Sequence, residues 1–546
     1  MLSALGGTTP QGLHLSGSIW MEEEEEDTSN NSTIKRYHLS QQDGDIAMLS
    51  QHDNFFNMLT PRETLEFAAY LESHKHTNDD NKSNKYNHKE EARRKLTSLG
   101  LLGVADRQIG DRNIGEGSSS HGFNLRKLVN RLSGNKGKMS RNRSGGLSGG
   151  ERRRLSVALE LVTNPKVFLA DEPTTGLDSS QAGKVVDIIA KLAKERNVPS
   201  IMSLHQPKSS IWKTLDQVIL LAPGGKMCYF GSRRDAISYF SNIGYNMPAN
   251  TNPAEYLIDL VSIDSEDSTQ AALDHARIES LHHQCIKSLS TPDINNNAIV
   301  QHKQSSKGLV KGRFANSIRR FGAILRRSWR QNIRNFHIIG IRLFAAVTQA
   351  VLFASIFTSV RDDKSLTKSI ADRVALLTYG VINMSILALM KSLDLFAKER
   401  GVVVREYMRS SYSSIEYLLA KVLAEIPLDT SFALVFAWVL KSLTGLRTPL
   451  SALIKTYCLM TVTSASLGFA IGSFTSSVEA AMSTGLPIMV IFMVVGIINP
   501  SGVDLDEPPN RIMDCLSFFS PIKWAVKSLV TAEFSGMVFN EKDRGL

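Results

Sequence analysis

Leu147-Ser-Gly-Gly-Glu151 runs on into Arg152-Arg-Arg-Leu-Ser-Val-Ala-Leu-Glu160, and Val167-Phe-Leu-Ala-Asp-Glu-Pro-Thr-Thr-Gly-Leu-Asp178 follows. The first stretch reads as a helix that starts on small residues. There, backbone N–H groups and the Ser148 hydroxyl can approach a phosphate, and the helix dipole favours its negative charge. A Ser-Gly-Gly turn alone is a common flexible helix start. What gives this one weight is an apolar strand that ends on two carboxylates, the first of them 20 residues after Glu151. An aspartate so placed, Asp171, can hold Mg²⁺ through water, while Glu172 beside it can polarise an attacking water.

Two further positions join this pair. Ile201-Met-Ser-Leu-His-Gln-Pro207 sets His205 at the end of another apolar run, where an imidazole suits a γ-phosphate contact. Met48-Leu-Ser-Gln-His-Asp53 carries Gln51, which by itself reads as a surface residue and in this company reaches toward Mg²⁺ and the attacking water.

Around these motifs the chain, 546 residues long, divides by composition. Residues 1–265 alternate β-branched apolar runs with helical patterns, as in an α/β domain. Val167–Ala170 and Val218–Leu221 are predicted as buried strands. Helices are predicted near Pro61–Ser73, Lys89–Leu101, Gly150–Leu161 and Ser180–Glu195. Polar inserts near 22–34, 74–88 and 118–146 read as surface loops, the first because Glu22 to Asp27 is a block of six acids. Residues 266–312 read as a linker and 313–336 as an amphipathic basic helix.

Beyond it, five segments are apolar enough to cross a hydrocarbon core of about 30 Å, which takes about 20 helical residues. They lie near Ile338–Val360, Val374–Ser392, Leu423–Leu443, Leu450–Ser473 and Ala480–Ile498, within an all-α membrane domain at 337–499. Asn383, Glu425 and Asp429 interrupt them, and polar groups in a membrane segment face the protein interior. Asn383 and Thr484 are the polar positions expected along a cavity. Residues 500–546 read as an extracellular loop.

The net charge of +10 does not point to nucleic acid. The basic residues gather at Arg126–Arg143 and Lys307–Arg342, and the second stretch contains no acid and runs into an apolar segment, the mark of a cytoplasmic membrane flank. Membrane lipid is the expected partner, and no nucleic-acid-binding motif is present. The four cysteines show neither paired nor zinc spacing. No signal peptide opens the chain, so the first half is expected in the cytosol and the whole as a multi-pass integral membrane protein.

Gln51, Leu147–Glu151, Asp171–Glu172, Asp178 and His205 resemble the motif set of the ABC ATPases in order and spacing. Asn252-Pro-Ala-Glu-Tyr256, Ile426-Pro427, Ser520-Pro-Ile-Lys-Trp524 and the order of the two halves resemble the ABCG, or White-type, half-transporters. The resemblance covers nearly the whole chain. It implies an α/β ABC-type (P-loop NTPase) nucleotide-binding domain followed by the all-α membrane domain, with ATP and Mg²⁺ as cofactors. It also implies a second half-transporter, the same or different, as partner, because each ATP lies between two such domains.

By the resemblance, Asp171 holds Mg²⁺, Glu172 is the general base, and Gln51 senses the metal. His205 contacts the γ-phosphate, Ser148, Gly149 and Gly150 meet the partner's nucleotide, and Asp178 lies at the dimer interface. Met1-Leu-Ser-Ala-Leu-Gly-Gly7 resembles the helix after the phosphate loop, so the reading is of a chain truncated at both ends, without its own Walker A element and without a sixth span. The function expected is ATP-driven export of a lipid, sterol or amphipathic small molecule. The alternative is a non-catalytic subunit that donates its signature to a complete half-transporter.

Overall fold

The computed structural model describes residues 20–26, 32–38, 45–73, 87–110, 146–264, 268–289, 310–360, 366–409, 411–475, 477–497 and 511–535. The chain divides into two compact units, 1–313 with 408–411 and 314–407 with 412–546.

In the first unit, β1 (Trp20–Glu26) and β2 (Ser32–His38) pair antiparallel. This corrects the reading of the acidic block as a loop. Strand pairing is a backbone interaction that a run of acids does not forbid, and the register sets Glu22 across from Arg36 and Glu23 across from Lys35. The inserts near 74–88 and 118–146 fall almost wholly outside the described residues.

A parallel sheet follows, built from β3 (Ile46–Leu49), β4 (Val167–Ala170) and β5 (Ser200–Met202) in the order β3-β4-β5. Parallel neighbours need crossovers that cover the sheet. Here these include α1 (Pro61–Ser73), α2 (His88–Ser98), α3 (Gly149–Glu160) and α4 (Ser179–Arg196). Their apolar faces join the strands in one core around Leu65, Leu96, Leu155, Phe168 and Ile189. The four helices agree with the predicted ones to within three residues at each end.

A lysine ammonium lies against this core. Lys95 is 2% exposed and its Nζ donates to the Leu161 carbonyl at 2.6 Å. Burial, aided by the nearby Arg196 charge, pushes its pKa down to about 8. Below about 8 both folded and unfolded chains hold the proton, and the cost of burying the ammonium is carried in full. Between about 8 and the ordinary lysine value the unfolded chain keeps a proton that the folded chain has given up, so stability rises with pH there. Wild-type protein is therefore expected to gain on Lys95→Met by on the order of 1 kcal/mol between pH 7 and pH 9.5. Thermal unfolding of the detergent-solubilised protein at the two pH values measures it, and a difference that does not move with pH would refute it.

After α5 (Ser209–Thr214), β6 (Gln217–Ala222) and β7 (Lys226–Ser232) form an antiparallel hairpin. β6 was expected to be buried throughout, but it alternates. Leu220 and Ala222 face the core, while Ile219 and Leu221 are exposed, as a hairpin covered on one face requires. The covering elements are α6 (Arg233–Asn242), α7 (Pro253–Val261) and α8 (Ser268–Leu289), packed around Trp212, Phe240, Leu257 and Leu281. Residues 268–289, read as linker, are thus a helix with its own buried face, whose low mean apolarity had hidden it.

The second unit is helical. α9 (Val310–Arg334) and α10 (Phe336–Ile356) are followed by α11 (Leu366–Met408), α12 (Ser414–Thr444), α13 (Leu450–Phe474) and α14 (Val478–Ile497), then by the shorter α15 (Arg511–Phe519) and α16 (Pro521–Phe534). Among the described residues, α10 to α14 each contain a segment long and apolar enough to cross a membrane. Their packing relies on close approach at glycine, since a Cβ at Gly468 of α13 would lie 2.7 Å from the Ser392 Cβ of α11.

Charges inside this unit are paired. Lys391 of α11 bonds Asp429 of α12 at 2.6 Å and also meets Glu425, one helical turn away on α12. Lys421 of α12 bonds Glu399 of α11 at 2.8 Å, and Glu399 also accepts from Tyr417 and from Gln331 of α9. Arg327 of α9 pairs with Glu406 at 2.7 Å. Burying ions is tolerable when each finds a counter-charge and its remaining hydrogen bonds.

A second charged cluster joins Arg373 of α11 to Glu533 of α16. Asn383 donates to Gln349 of α10 at 2.9 Å, and Thr484 is exposed with its hydroxyl turned back to Ala480 O of its own helix.

Candidate nucleotide site

The parallel sheet fixes where chemistry can occur, because its three strands end on the same edge, the usual place for a ligand in such sheets. Gln51 lies two residues beyond β3, Asp171 and Glu172 follow β4 directly, and Ser203 and His205 follow β5.

Glu172 holds the centre. Its Oε2 accepts from Gln51 Nε2 at 2.8 Å and from Thr175 Oγ1 at 3.0 Å, whereas its Oε1 accepts nothing among the described residues. Ser203 bridges the acidic pair, with its Oγ accepting from the Glu172 N–H and donating to Asp171 Oδ1, both at 2.8 Å. Glu172 has φ +41, a left-handed conformation that costs a residue with a side chain about 1–3 kcal/mol and persists where its surroundings over-determine it.

The other predicted residues sit at helix starts. Ser148 caps α3 with a capping box, accepting from the Glu151 N–H while the Glu151 carboxylate accepts from the Ser148 N–H. Asp178 caps α4, accepting from the Ser180 and Gln181 N–H groups. The two starts lie side by side. A Cβ on Gly150 would come within 2.5 Å of Gln181 Oε1, and one on Gly149 would touch Leu177 at 3.5 Å. Ser148 and Asp178 are exposed, leaving this double helix start open to an incoming group.

His205 is exposed in the bend after β5 and makes no hydrogen bond among the described residues. The bend is held from behind by Asn252, which caps α7 and donates from Nδ2 to Pro207 O at 2.9 Å. The structure thus brings Gln51, Asp171 and Glu172 together in one group and the Ser148–Gly150 start with Asp178 in another.

Ser203, Arg153 and Asn252 complete the site and were not among the predicted residues. The available signals were the position of Ser203 at a strand end and the Asn-Pro helix start at 252–253, where asparagine is a strong cap.

Comparison with known proteins matches the two halves separately. The family described as ABC transporter matches residues 11–175, and that described as ABC-2 type transporter matches 319–534 and, in a second form, 205–279. A protein of Arabidopsis thaliana, ABC transporter G family member 7, is 33% identical over 540 residues, covering 97% of this chain and 66% of its own length.

The chain belongs to the ABC transporter family.

Its likeness to the G-type branch extends to Protein white of Drosophila melanogaster, 26% identical over 91% of the chain and 66% of that protein. It also extends to ATP-binding cassette sub-family G member 5 of Rattus norvegicus, 28% identical over 90% of the chain and 70% of that protein. The chain spans about two thirds of the length of these relatives. It is a multi-pass integral membrane protein, with an ABC ATPase domain on the cytosolic side and an ABC-2 type membrane domain of apolar helices.

Proposed function

We propose that this ABC transporter chain is one half of a dimeric, ATP-driven exporter of a lipid, sterol or amphipathic small molecule. The observation that carries the reading is the Gln51–Glu172 contact beside the Ser203-bridged Asp171, at the common end of three parallel strands. The five apolar helices of the second unit supply the membrane passage.

The donor set suits ATP with Mg²⁺. Carboxylate and amide oxygens are hard ligands, and Mg²⁺ takes one or two carboxylates together with phosphates and water. Asp171 and the Gln51 amide would hold the metal, whose charge, when bound, offsets that of the phosphates.

Glu172 Oε1, with no donor of its own, is the atom available to accept a proton from an attacking water. Gln51 and Thr175 hold Oε2 so that Oε1 points one way. His205 would donate to the terminal phosphate. The open Ser148–Gly150 start, with its N–H groups and dipole, would receive the phosphates held by the other half, with Asp178 beside it.

The test is ATP hydrolysis and sterol or lipid movement by the full-length protein in liposomes. Hydrolysis by the full-length protein expressed without a different half-transporter, stimulated by an amphipathic substrate, is the expected result. Hydrolysis appearing only after co-expression with a different half-transporter would instead make it a subunit that lends its signature to a partner.

A further inference from the structure

We propose that Arg153 is a positioning residue that ties the signature helix to the hydrolytic carboxylates of the same chain, so that movement of α3 is transmitted to Glu172. The inference rests on the roles proposed above for Glu172 and the Ser148–Gly150 start.

Arg153 lies five residues into α3 after Ser148, and its side chain is 3% exposed. Its guanidinium spans two separate chain segments. On the β3 side, Nη1 donates to Ser50 O at 2.7 Å, Gln51 O at 3.3 Å and Asp53 Oδ1 at 3.0 Å. On the β4 side, Nη2 donates to Asp171 O at 2.9 Å and Glu172 O at 3.0 Å, while Nε donates to Pro173 O at 3.1 Å. These are the segments that carry Gln51, Asp171 and Glu172. One planar cation therefore holds the backbone of all three.

Two features separate this from an ordinary buried arginine. The carbonyls gripped on the β4 side flank Glu172, whose left-handed backbone needs outside support. Arg153 holds its carbonyl, and Ser203 holds its N–H. The charge is also balanced from the β3 side, since Asp53 pairs with Arg153 and accepts from Ser156 Oγ of the same helix as Arg153 at 2.6 Å. α3 thus fastens itself twice to the segment that bears Gln51.

The consequence concerns the two nucleotide sites of a dimer. The start of α3 would face the nucleotide of the other half, while Arg153 holds the carboxylates serving the chain's own. Engagement of the signature at one site would then set the backbone of the base at the other.

Arg153→Lys is the informative variant. It keeps the charge and the Asp53 pairing but offers three donors from one point in place of a five-donor planar fork. In the full-length transporter in liposomes, kcat for ATP is expected to fall about tenfold to a hundredfold, the scale on which misplacement of reacting groups acts. KM for ATP should stay within about twofold, and cooperativity in ATP should be lost. A folded Arg153→Lys protein with wild-type kcat, or a KM that rises in step with the loss of kcat, overturns the proposal. Where Arg153→Lys does not fold, Ser156→Ala, which loosens only the Asp53 tether, must give the same split in smaller measure, and an unchanged kcat there overturns it equally. Wild-type protein that hydrolyses no ATP defeats the underlying assignment of Glu172 instead.

Discussion

Replacing Glu172 with glutamine is expected to lower ATP turnover by about 10²–10⁴-fold, the usual contribution of a positioned general base, and to leave nucleotide binding intact. The geometry makes this substitution cleaner than most. Both donors, Gln51 Nε2 and Thr175 Oγ1, converge on Oε2. A glutamine placing its amide oxygen there keeps both bonds and puts an NH₂, which cannot take a proton, where Oε1 stood. Trapping of nucleotide by Glu172→Gln protein, together with steady-state hydrolysis, measures the two halves of the expectation. A variant that hydrolyses ATP within about threefold of wild type would remove Glu172 from the role of base.

The second large effect is on folding. Glu533 is 1% exposed at the end of α16 and accepts from Arg373, from the Arg447 and Thr448 N–H groups and from Thr448 Oγ1. One carboxylate therefore fastens α11 and the turn between α12 and α13 to α16. Glu533→Ala removes the carboxylate that meets the buried Arg373 guanidinium and takes away the acceptor of two backbone N–H groups. The expected loss is about 3–5 kcal/mol, seen as little monodisperse protein in detergent and a lowered Tm. Because the two side chains form one buried ion pair, Arg373→Met combined with Glu533→Leu should be less damaging than the sum of the two single changes. A double variant as unstable as the sum of its single changes would show that the two side chains act independently.

How much of this was visible in the sequence depends on whether the interaction is local. The Asp171–Glu172 pair was legible because an apolar run that stops on two acids and a Pro-Thr-Thr-Gly turn has few readings. The membrane helices were legible for the same reason, as length and apolarity are properties of a single segment. Arg153 was not. Three consecutive arginines carry no sign of which one reaches the Gln51 and Glu172 segments, and the carbonyls that select Arg153 are about 20 and 100 residues distant.

Ser203 is similar, one small polar residue whose meaning depends on Asp171 being beside it. The acidic block at 22–26 misled for a different reason. Composition describes what a stretch can bury, whereas β1 is defined by the strand it pairs with. Asn383, noticed as a polar residue in an apolar segment, has a protein partner in Gln349 that only packing reveals.

The paired charges of α11 and α12 also bear on how the chain is made. Within their apolar segments, α11 carries Lys391 and α12 carries Lys421, Glu425 and Asp429. On insertion scales a lysine or aspartate at the centre of a helix costs about 2.5–3.5 kcal/mol. Together the helices place each lysine against an acid of the other. For the nascent chain this favours release of the two segments from the translocon together, as a preassembled hairpin, over release one at a time.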